Sequence, residues 1–274
     1  MNKDNFNIIC RDVRKSMLKI SNRSFSSHIG GSLSIVELLV YLYHKQMNIN
    51  KENFNDKIRD YFILSKGHSS LALYTVLNSI DIISDQELNA FYSNGSNLIG
   101  HVNHKVDGVD VSTGSLGHGL SIGIGIALSF KLKKINQKVY VILGDGECDE
   151  GSIWEAFRFI SQHNINNIIP IIDANNLQGY PLKNHSTKLE DTKNMLKSLN
   201  IYLHEINGHS FDELEKTFQK ISLKNDKPSV LYANTIKGKG ISFMENDLLW
   251  HYRSLCDDEL KIALDELDNK NNII

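Results

Sequence analysis

Hydrophobic residues form five short runs along the chain, and amphipathic segments lie between them. The runs have the length of strands and end in turn signals; they cover residues 61–64, 139–143, 168–172, 202–206 and 230–233. Between them, apolar residues recur at helical spacing over residues 35–45, 69–78, 117–134, 153–163 and 211–223. Apolar strands joined by helices are typical of a parallel sheet covered on both faces, so the pattern predicts a doubly wound α/β fold.

The organisation of the 274 residues is simple, because no repeat of fixed period and no Pro- or Ser-rich linker divides them. We therefore expect a single domain over residues 1–274, with polar extensions at about residues 1–9 and 256–274. Hydrophobic residues make up 41% of the chain and charged residues 23%, a balance that excludes intrinsic disorder.

Charge, cysteine content and the uncharged stretches of the chain bear on its binding partners, its cellular location and its relation to membranes. Thirty Lys and Arg residues oppose 32 Asp and Glu residues, so nothing in the net charge of −2 attracts nucleic acid or an anionic membrane. The three cysteines contain no CxxC pair and the first residues form no apolar signal segment, so we expect a cytoplasmic protein. The uncharged stretch 111–130 holds five glycines and four serines, which favours a buried loop and helix over a membrane span.

Polar residues follow two neighbouring apolar runs. Asp145 lies between Gly144 and Gly146 just after the second run, and Asn175 follows the third. Because ligands of such sheets bind at the carboxyl ends of the strands, both side chains are expected at the ligand-binding edge. Carboxylate, amide and backbone oxygens suit Mg²⁺ or Ca²⁺ bridging to a diphosphate. The alternative is that Gly-Asp-Gly is only a tight turn and the Asn pair a loop cap.

The spacing of these residues resembles a known cofactor motif. Gly-Asp-Gly followed by Asn175, 30 positions after Asp145, is similar to the thiamine diphosphate motif. The resemblance implies that Asp145, Asn175 and the carbonyl of Leu177 bind Mg²⁺, with Ca²⁺ or Mn²⁺ as possible substitutes. Over residues from about 10 to 255 the chain resembles the N-terminal, diphosphate-binding half of a transketolase, a PP-type domain. The supporting blocks are residues 27–31, 64–68, 100–101, 112–119 and 236–240, together with His251.

The resemblance also implies roles for individual residues. His28, His68, His101 and His251 would line the cofactor and substrate channel as catalytic groups, because imidazole suits proton transfer near neutral pH. Those expected to bind the cofactor are His68 and His251 near the diphosphate, and Gly114, Ser115, Leu116, Gly144, Asp145, Gly146 and Asn175. Glu150 matches a family glutamate that lies where two cofactor-binding halves meet; it can equally complement the charge of a helix N-terminus.

Other chemically suggestive residues are left open or kept structural. Lys237 and Lys239 lie among glycines, where they contact an anion, belong to a loop that closes over the site, or form a solvated basic turn. Cys148 has no adjacent base, so we assign it no nucleophilic role. The histidines outside the family blocks are expected to be structural or surface residues: His44, His104, His163, His185, His204 and His209.

A transketolase active site also needs a pyrimidine-binding domain, for which this sequence offers no candidate. We therefore expect a subunit of a split transketolase, paired with a separately encoded pyrimidine-domain subunit in an α₂β₂ assembly. It would transfer a two-carbon unit between sugars or sugar phosphates. The alternatives are a subunit of a 2-oxoacid dehydrogenase, a relative of deoxyxylulose-phosphate synthase, or a subunit that binds partners without turnover. A nicotinamide-binding site fails because Gly123 comes one residue too late for the dinucleotide fingerprint.

The sequence departs from the usual transketolase pattern at two places. His118 stands where many full-length transketolases have Gln, and the His28 block reads His-Ile-Gly-Gly where His-Pro-Gly is usual. Both changes lie near the expected channel, so the reaction class is retained while the sugar specificity is left open.

Overall fold

A five-stranded parallel sheet forms the centre of the protein. The computed structural model describes residues 1–177, 189–224 and 226–269. The strands are β1 (Tyr61–Leu64), β2 (Val139–Gly144), β3 (Ile168–Ala174), β4 (Tyr202–Asn207) and β5 (Ser229–Asn234). Their order in the sheet is β1-β2-β3-β5-β4, and every neighbouring pair is parallel. All five apolar runs are therefore strands, and the predicted α/β fold with a parallel sheet is confirmed.

Ten α-helices accompany the sheet in the described part of the chain. They are α1 (Lys3–Ser24), α2 (Ile29–Leu33), α3 (Val36–Tyr41), α4 (Ser70–Ser79), α5 (Asp85–Asn89), α6 (Gly119–Leu132), α7 (Gly151–Gln162), α8 (Leu189–Ser198), α9 (Phe211–Leu223) and α10 (Asp257–Asn269). A π-helical turn, Leu42–Gln46, continues α3, so the predicted helix over 35–45 is split between two helix types. None of these helices is both long and apolar enough to cross a membrane.

Both faces of the sheet are covered by hydrophobic clusters. Successive residues of a strand point to opposite faces, so each strand contributes to both clusters. In β2, Tyr140 and Ile142 belong to one hydrophobic cluster, while Val141 and Leu143 belong to another. The first cluster is built with α1, α3, α4 and α9, and the second with α6, α7 and α8. This two-sided burial explains why β1, β2, β3 and β5 are largely apolar instead of alternating, whereas the edge strand β4 is partly exposed.

The terminal segments contain helices that the sequence analysis does not predict. α1 begins in the segment 1–9, where Asn2 caps it by accepting from the backbone N–H of Asn5 at 2.9 Å. Phe6 of α1 is buried, and so is Leu267 of α10, with α1 and α10 packed together. Their apolar residues form one narrow stripe in otherwise polar sequence, which is why the segments look like extensions. Residues 270–274, the end of the second segment, lie outside the described residues.

Candidate active site

The carboxyl ends of β1, β2, β3 and β5 surround a cavity of about 570 Å³, which we call the sheet-edge cavity. Residues that follow three different strands line it, including Lys66, Asp145 and Asn175. Gly144, the last residue of β2, is in register with Asp173 of β3, which brings the two loops side by side. The expectation that Asp145 and Asn175 meet at one edge of the sheet agrees with this geometry.

Asp145 is a buried carboxylate held by the backbone. Its Oδ1 accepts from the N–H of Gly146 and its Oδ2 from the N–H of Asn176, both at 2.8 Å. Burial, and to a smaller extent repulsion from Asp173, raises the pKa of Asp145 to about 6. The side chain is therefore fixed in position, and a cation beside it would relieve an unfavourable negative charge.

A buried ion pair between Asp173 and Lys66 lies next to Asp145. Lys66 Nζ is 2.5 Å from Asp173 Oδ2 and also donates to the carbonyl of Gly31 at 3.0 Å. Asp173 accepts further hydrogen bonds from the hydroxyls of Ser34 and Thr235. Burial opposes ionisation of Asp173, but Lys66 outweighs it, so the pKa of Asp173 is lowered. A carboxylate this well satisfied is a rigid support for its neighbours.

Asp173 also orients the side chain of Asn175. The amide nitrogen of Asn175 donates to Asp173 Oδ2 at 3.0 Å, which leaves the amide oxygen facing the other way. That oxygen accepts from the N–H of Leu177 at 3.1 Å. Because a carboxylate accepts only from the NH₂ group, Asp173 determines which end of the amide is available to a ligand.

Lys237 reaches the cavity from the loop after β5. Its Nζ donates to the carbonyl of Leu177 at 3.0 Å and lies 3.2 Å from His251 Nδ1. Burial and the charge of Lys66 lower the pKa of Lys237 to about 8. Lys239 instead pairs with Glu245 at 3.3 Å and does not line the cavity. Of the two lysines, only Lys237 therefore stands where it could contact a bound anion.

Four histidines come together on one side of the cavity. The ring of His28 lies 5.4 Å from that of His68, 6.2 Å from that of His101 and 4.8 Å from that of His251, measured between ring centres. The four residues come from loops and short helical turns that are far apart in sequence. The structure therefore brings together the histidines that the sequence analysis selects.

Three of these imidazoles, those of His28, His68 and His251, are held in the neutral state. Burial, followed by the charge of Lys66, lowers the pKa of His68 to about 2. Burial, followed by the charge of Lys237, lowers that of His251 to about 3. The pKa of His28 is also lowered, first by burial. A neutral imidazole can both donate and accept a hydrogen bond, which suits the binding and proton transfer of sugar hydroxyls.

His28 adopts a backbone conformation that is uncommon for residues other than glycine. Its φ is 67°, in the left-handed region, directly before α2. The N–H of His28 donates to the carbonyl of His251 at 3.1 Å, and the hydroxyl of Ser27 lies 3.0 Å from the His28 ring. These contacts hold the strained residue with its ring among the other three histidines.

The glycine-rich block 112–119 forms the approach to α6. Gly114 and Leu116 line the cavity, whereas Ser115 does not. Gly117 has φ 87°, and a Cβ there would lie 2.6 Å from the hydroxyl of Ser152, so only glycine fits. Glu147 holds the block in place by accepting a hydrogen bond from the N–H of Gly117 at 2.9 Å.

Glu150 lies at the rim of the cavity and is exposed. It is the residue before α7, but its side chain makes no capping hydrogen bond. The alternative for Glu150, that its charge complements the helix N-terminus, needs no such hydrogen bond and stays a prediction. Cys148 is completely buried, and its pKa is raised well above the ordinary value by burial, which agrees with its having no nucleophilic role.

Comparison with known proteins identifies the family. The family model described as "Transketolase, thiamine diphosphate binding domain" matches residues 8–271. The chain belongs to this family.

The similar proteins are of two kinds: transketolase subunits of about the same length as this chain, and longer transketolases. One subunit of the apulose-4-phosphate transketolase of Phocaeicola vulgatus is 36% identical over 94% of this chain and 92% of its own length. The 6-deoxy-6-sulfo-D-fructose transketolase subunit SqwG of a Clostridium species is 34% identical over 94% of both chains. The crystal structure of transketolase from Campylobacter jejuni superposes with a TM-score of 0.87 at 27% identity, over 98% of this chain and 43% of that one. This chain thus matches nearly the full length of the relatives named as subunits and less than half of the solved transketolase.

The donors at the cavity fit the cofactor and cation that the family implies. Asp145, Asn175 and the carbonyl of Leu177 are hard oxygen donors, which Mg²⁺ and Ca²⁺ prefer. Within the described residues no group of three or more His, Cys, Asp or Glu could hold a metal ion. A cation here would therefore rely on one carboxylate, neutral oxygens and the diphosphate itself. A Cβ on Gly144 would meet no atom closer than 3.9 Å, so this glycine leaves room for a ligand.

Sequence reasoning misses three residues that support the site. Asp173, Lys66 and Glu147 lie within or beside the motifs, yet their function depends on partners more than 25 residues away. A charged residue inside or directly after an apolar strand is the signal that could have identified Asp173, because such burial needs an ion pair.

Proposed function

We propose that this chain is the diphosphate- and metal-binding subunit of a split transketolase, a transferase for two-carbon ketol units. The observation that supports it most strongly is the convergence of Asp145 and Asn175 with four histidines around one cavity. The near-complete coverage of relatives named as transketolase subunits supports the division of the enzyme into separate chains.

The cation would be Mg²⁺, with Ca²⁺ or Mn²⁺ as substitutes, held by Asp145, Asn175 and the carbonyl of Leu177. Lys237 donates to the same carbonyl at 3.0 Å, and this carbonyl has two lone pairs, so Lys237 can remain there with its ammonium group beside the diphosphate. Gly144 and Gly146 let the backbone approach the phosphate oxygens closely. Gly114, Ser115 and Leu116 would contact the rest of the cofactor; the contact of Ser115 stays a prediction, since it does not line the cavity.

The four histidines are proposed to handle the sugar. Bound thiamine diphosphate supplies the nucleophilic carbon that adds to a ketose carbonyl. His28, His68, His101 and His251 bind hydroxyls, hold the ketose in line and carry protons to and from its oxygens. The neutral state of His28, His68 and His251 lets each of these three rings donate from one nitrogen and accept at the other.

The second subunit is proposed to cover the cavity. Glu150 is exposed at the rim, where a pyrimidine-binding domain of a partner would have to approach. We further propose an α₂β₂ assembly in the cytoplasm, with sugars or sugar phosphates as substrates. The cytoplasmic location is supported by the three free cysteines, of which Cys10 and Cys148 are buried.

Reconstitution tests this function. The purified chain is mixed with a candidate pyrimidine-domain subunit, thiamine diphosphate, Mg²⁺, a ketose donor and an aldose acceptor. We expect two-carbon transfer by the mixture and none by either chain alone. Asn175→Ala should abolish transfer, whereas Asn55→Ala, at an exposed turn, should not change it.

Other outcomes identify the alternatives. Turnover by this chain alone would refute the division of labour between two subunits. Decarboxylation of pyruvate by the mixture would favour a 2-oxoacid dehydrogenase or a deoxyxylulose-phosphate synthase relative. If the complex binds no thiamine diphosphate in the presence of Mg²⁺, the chain is a subunit without turnover.

A further inference from the structure

A buried charge network lies behind the sheet-edge cavity and does not line it. It consists of Arg14 on α1, Glu37 on α3 and His209 between β4 and α9, which we call the Glu37 network. Arg14 Nη2 is 2.7 Å from Glu37 Oε1, and His209 Nδ1 is 2.9 Å from Glu37 Oε2. All three side chains are at most 10% exposed. Burial opposes the ionisation of Glu37, but Arg14 and His209 lower its pKa to about 2.

Two members of the network bind the backbone on either side of Lys237. The N–H of Ile236 donates to His209 Nε2 at 2.9 Å. Arg14 Nε donates to the carbonyl of Lys239, also at 2.9 Å. The network therefore holds the residue before Lys237 and the carbonyl two residues after it.

The hydrogen bonds of His209 fix the position of its proton. Because Nε2 accepts from a backbone N–H, the ring proton has to lie on Nδ1. Nδ1 can then donate to the carboxylate of Glu37. Glu37 thus selects the tautomer that accepts from Ile236, although it does not line the cavity itself.

The segment around Lys237 needs such support. Gly238 and Gly240 have φ of 77° and 101°, and glycines have the largest conformational freedom of any residue. The Lys237 side chain nevertheless has to reach the carbonyl of Leu177 and the ring of His251, at 3.0 and 3.2 Å. A small shift of this backbone would move the ammonium group out of hydrogen-bond range.

We propose that Glu37, His209 and Arg14 are positioning residues, which set the backbone of residues 236–240 so that the Lys237 ammonium group is aimed into the cofactor site. The inference rests on the proposed function, in which Lys237 contacts the diphosphate. It assigns a role at the active site to His209, a histidine that the sequence analysis treats as structural.

Two substitutions of His209 separate its two hydrogen bonds. The amide of Asn overlays Nδ1, so His209→Asn keeps a donor to Glu37 and loses the acceptor for Ile236. The amide of Gln reaches the position of Nε2, so His209→Gln keeps that acceptor. Both variants of the full chain are compared with the wild type, alone and mixed with the partner subunit. Hydrogen exchange reports the Ile236 amide, and calorimetry reports thiamine diphosphate binding with Mg²⁺.

We expect His209→Asn to accelerate exchange at Ile236 by about tenfold and to weaken thiamine diphosphate binding by about three- to tenfold, the effect of one hydrogen bond. His209→Gln should restore most of both losses. Equal affinities in the two variants, with equal loss of global stability, would show that His209 is only structural and would overturn the proposal.

Arg14→Lys provides an independent variant if either His209 variant fails to fold. It keeps a positive charge for Glu37 and loses the bond from Nε to the carbonyl of Lys239. A folded Arg14→Lys protein with wild-type affinity for thiamine diphosphate would also overturn the proposal. The wild type serves as the test of the proposed function: if it binds no thiamine diphosphate with Mg²⁺, both inferences fail. Normal wild-type binding with unaffected variants would remove only the positioning role.

Discussion

At the scale of single residues, the site depends on two neighbouring carboxylates, Asp145 and Asp173, whose surroundings shift their pKa values in opposite directions. The negative charge of Asp173 is balanced by Lys66 and stabilised by hydrogen bonds from three further donors, so its pKa is lowered. Asp145 accepts from two backbone N–H groups, and its pKa is raised to about 6. The same sheet edge therefore carries one satisfied carboxylate and one that gains from an added cation.

Replacing Asp145 with Ala should weaken Mg²⁺-dependent binding of thiamine diphosphate by about 100-fold or more, because charge-assisted contacts to the cation are lost. The free energy of unfolding without ligand should change by less than about 2 kcal/mol. Two N–H groups lose their acceptor, but a buried negative charge is also removed. Calorimetric titration and urea unfolding measure the two quantities.

Asp107→Ala is the matched control, since Asp107 is exposed and does not line the sheet-edge cavity. It should leave the affinity unchanged. Global unfolding of the Asp145→Ala protein would instead identify Asp145 as a structural residue.

The neutral histidines have a consequence for stability as a function of pH. The pKa of His68 falls from 6.5 to about 2 on folding, so below pH 6.5 the unfolded state binds more protons than the folded state. The contribution of the neutral His68 ring to the free energy of unfolding should therefore be complete above pH 6.5 and decrease as the pH falls. At pH 5 the loss due to His68 is about 2 kcal/mol. His68→Gln should reduce the stability difference between pH 7.5 and pH 5 by that amount, measured by urea unfolding.

The outcome that would contradict this prediction is an unchanged pH dependence in His68→Gln. An NMR titration gives a separate reading, since the ring signals of His68 and His251 should not shift between pH 7.5 and pH 5. The same signals in the urea-unfolded protein should titrate near pH 6.5.

At the scale of elements, strands and helices differ in how well their sequences predict them. All five strands are predicted to within two residues at each end. Four of them are buried on both faces and are therefore largely apolar, whereas the edge strand β4 is partly exposed and contains His204 and Glu205. The helices on the chain termini are not predicted, since only a narrow stripe of each is buried. The long α1 has Met17 and Leu18 fully buried amid charged neighbours, so its core contribution depends on what packs against it.

Met17→Ala tests whether α1 is part of the core. Met17 is fully buried, so the substitution should lower the free energy of unfolding by about 2–5 kcal/mol through lost burial and a cavity. Lys19→Ala, at an exposed position of the same helix, should change it by less than about 0.5 kcal/mol. Urea unfolding of both variants decides; equal stabilities would mean that α1 is a dispensable extension.

At the scale of the whole molecule, the sheet-edge cavity is open on the side where Glu150 and His101 are exposed. α6 and α7 begin beside this opening and expose large apolar residues farther along, with Ile122 40% and Phe159 37% exposed. We expect the proposed partner to approach over this region and to bury apolar surface there.

Hydrogen exchange of the mixed subunits tests this arrangement. Binding of the pyrimidine-domain subunit should protect the amides of residues 114–122 and 149–152, because they surround the opening. The largely exposed stretch 51–58, which does not line the cavity, serves as the internal control and should not change. Protection confined to other surfaces would place the partner elsewhere.

The sequence alone predicts the class of fold and the groups proposed to bind the cofactor and the sugar, but not their supporting residues Asp173, Lys66 and Glu147. Continuous apolar runs predict buried parallel strands, and such strands place the residues after them at one edge, so Asp145 and Asn175 could be selected without coordinates. The tertiary structure decides what no local pattern contains. It sets the neutral state of His28, His68 and His251, the orientation of the Asn175 amide by Asp173 and the proposed support of Lys237 by His209. These depend on burial and on charges distant in the chain, and both arise only when the elements pack together.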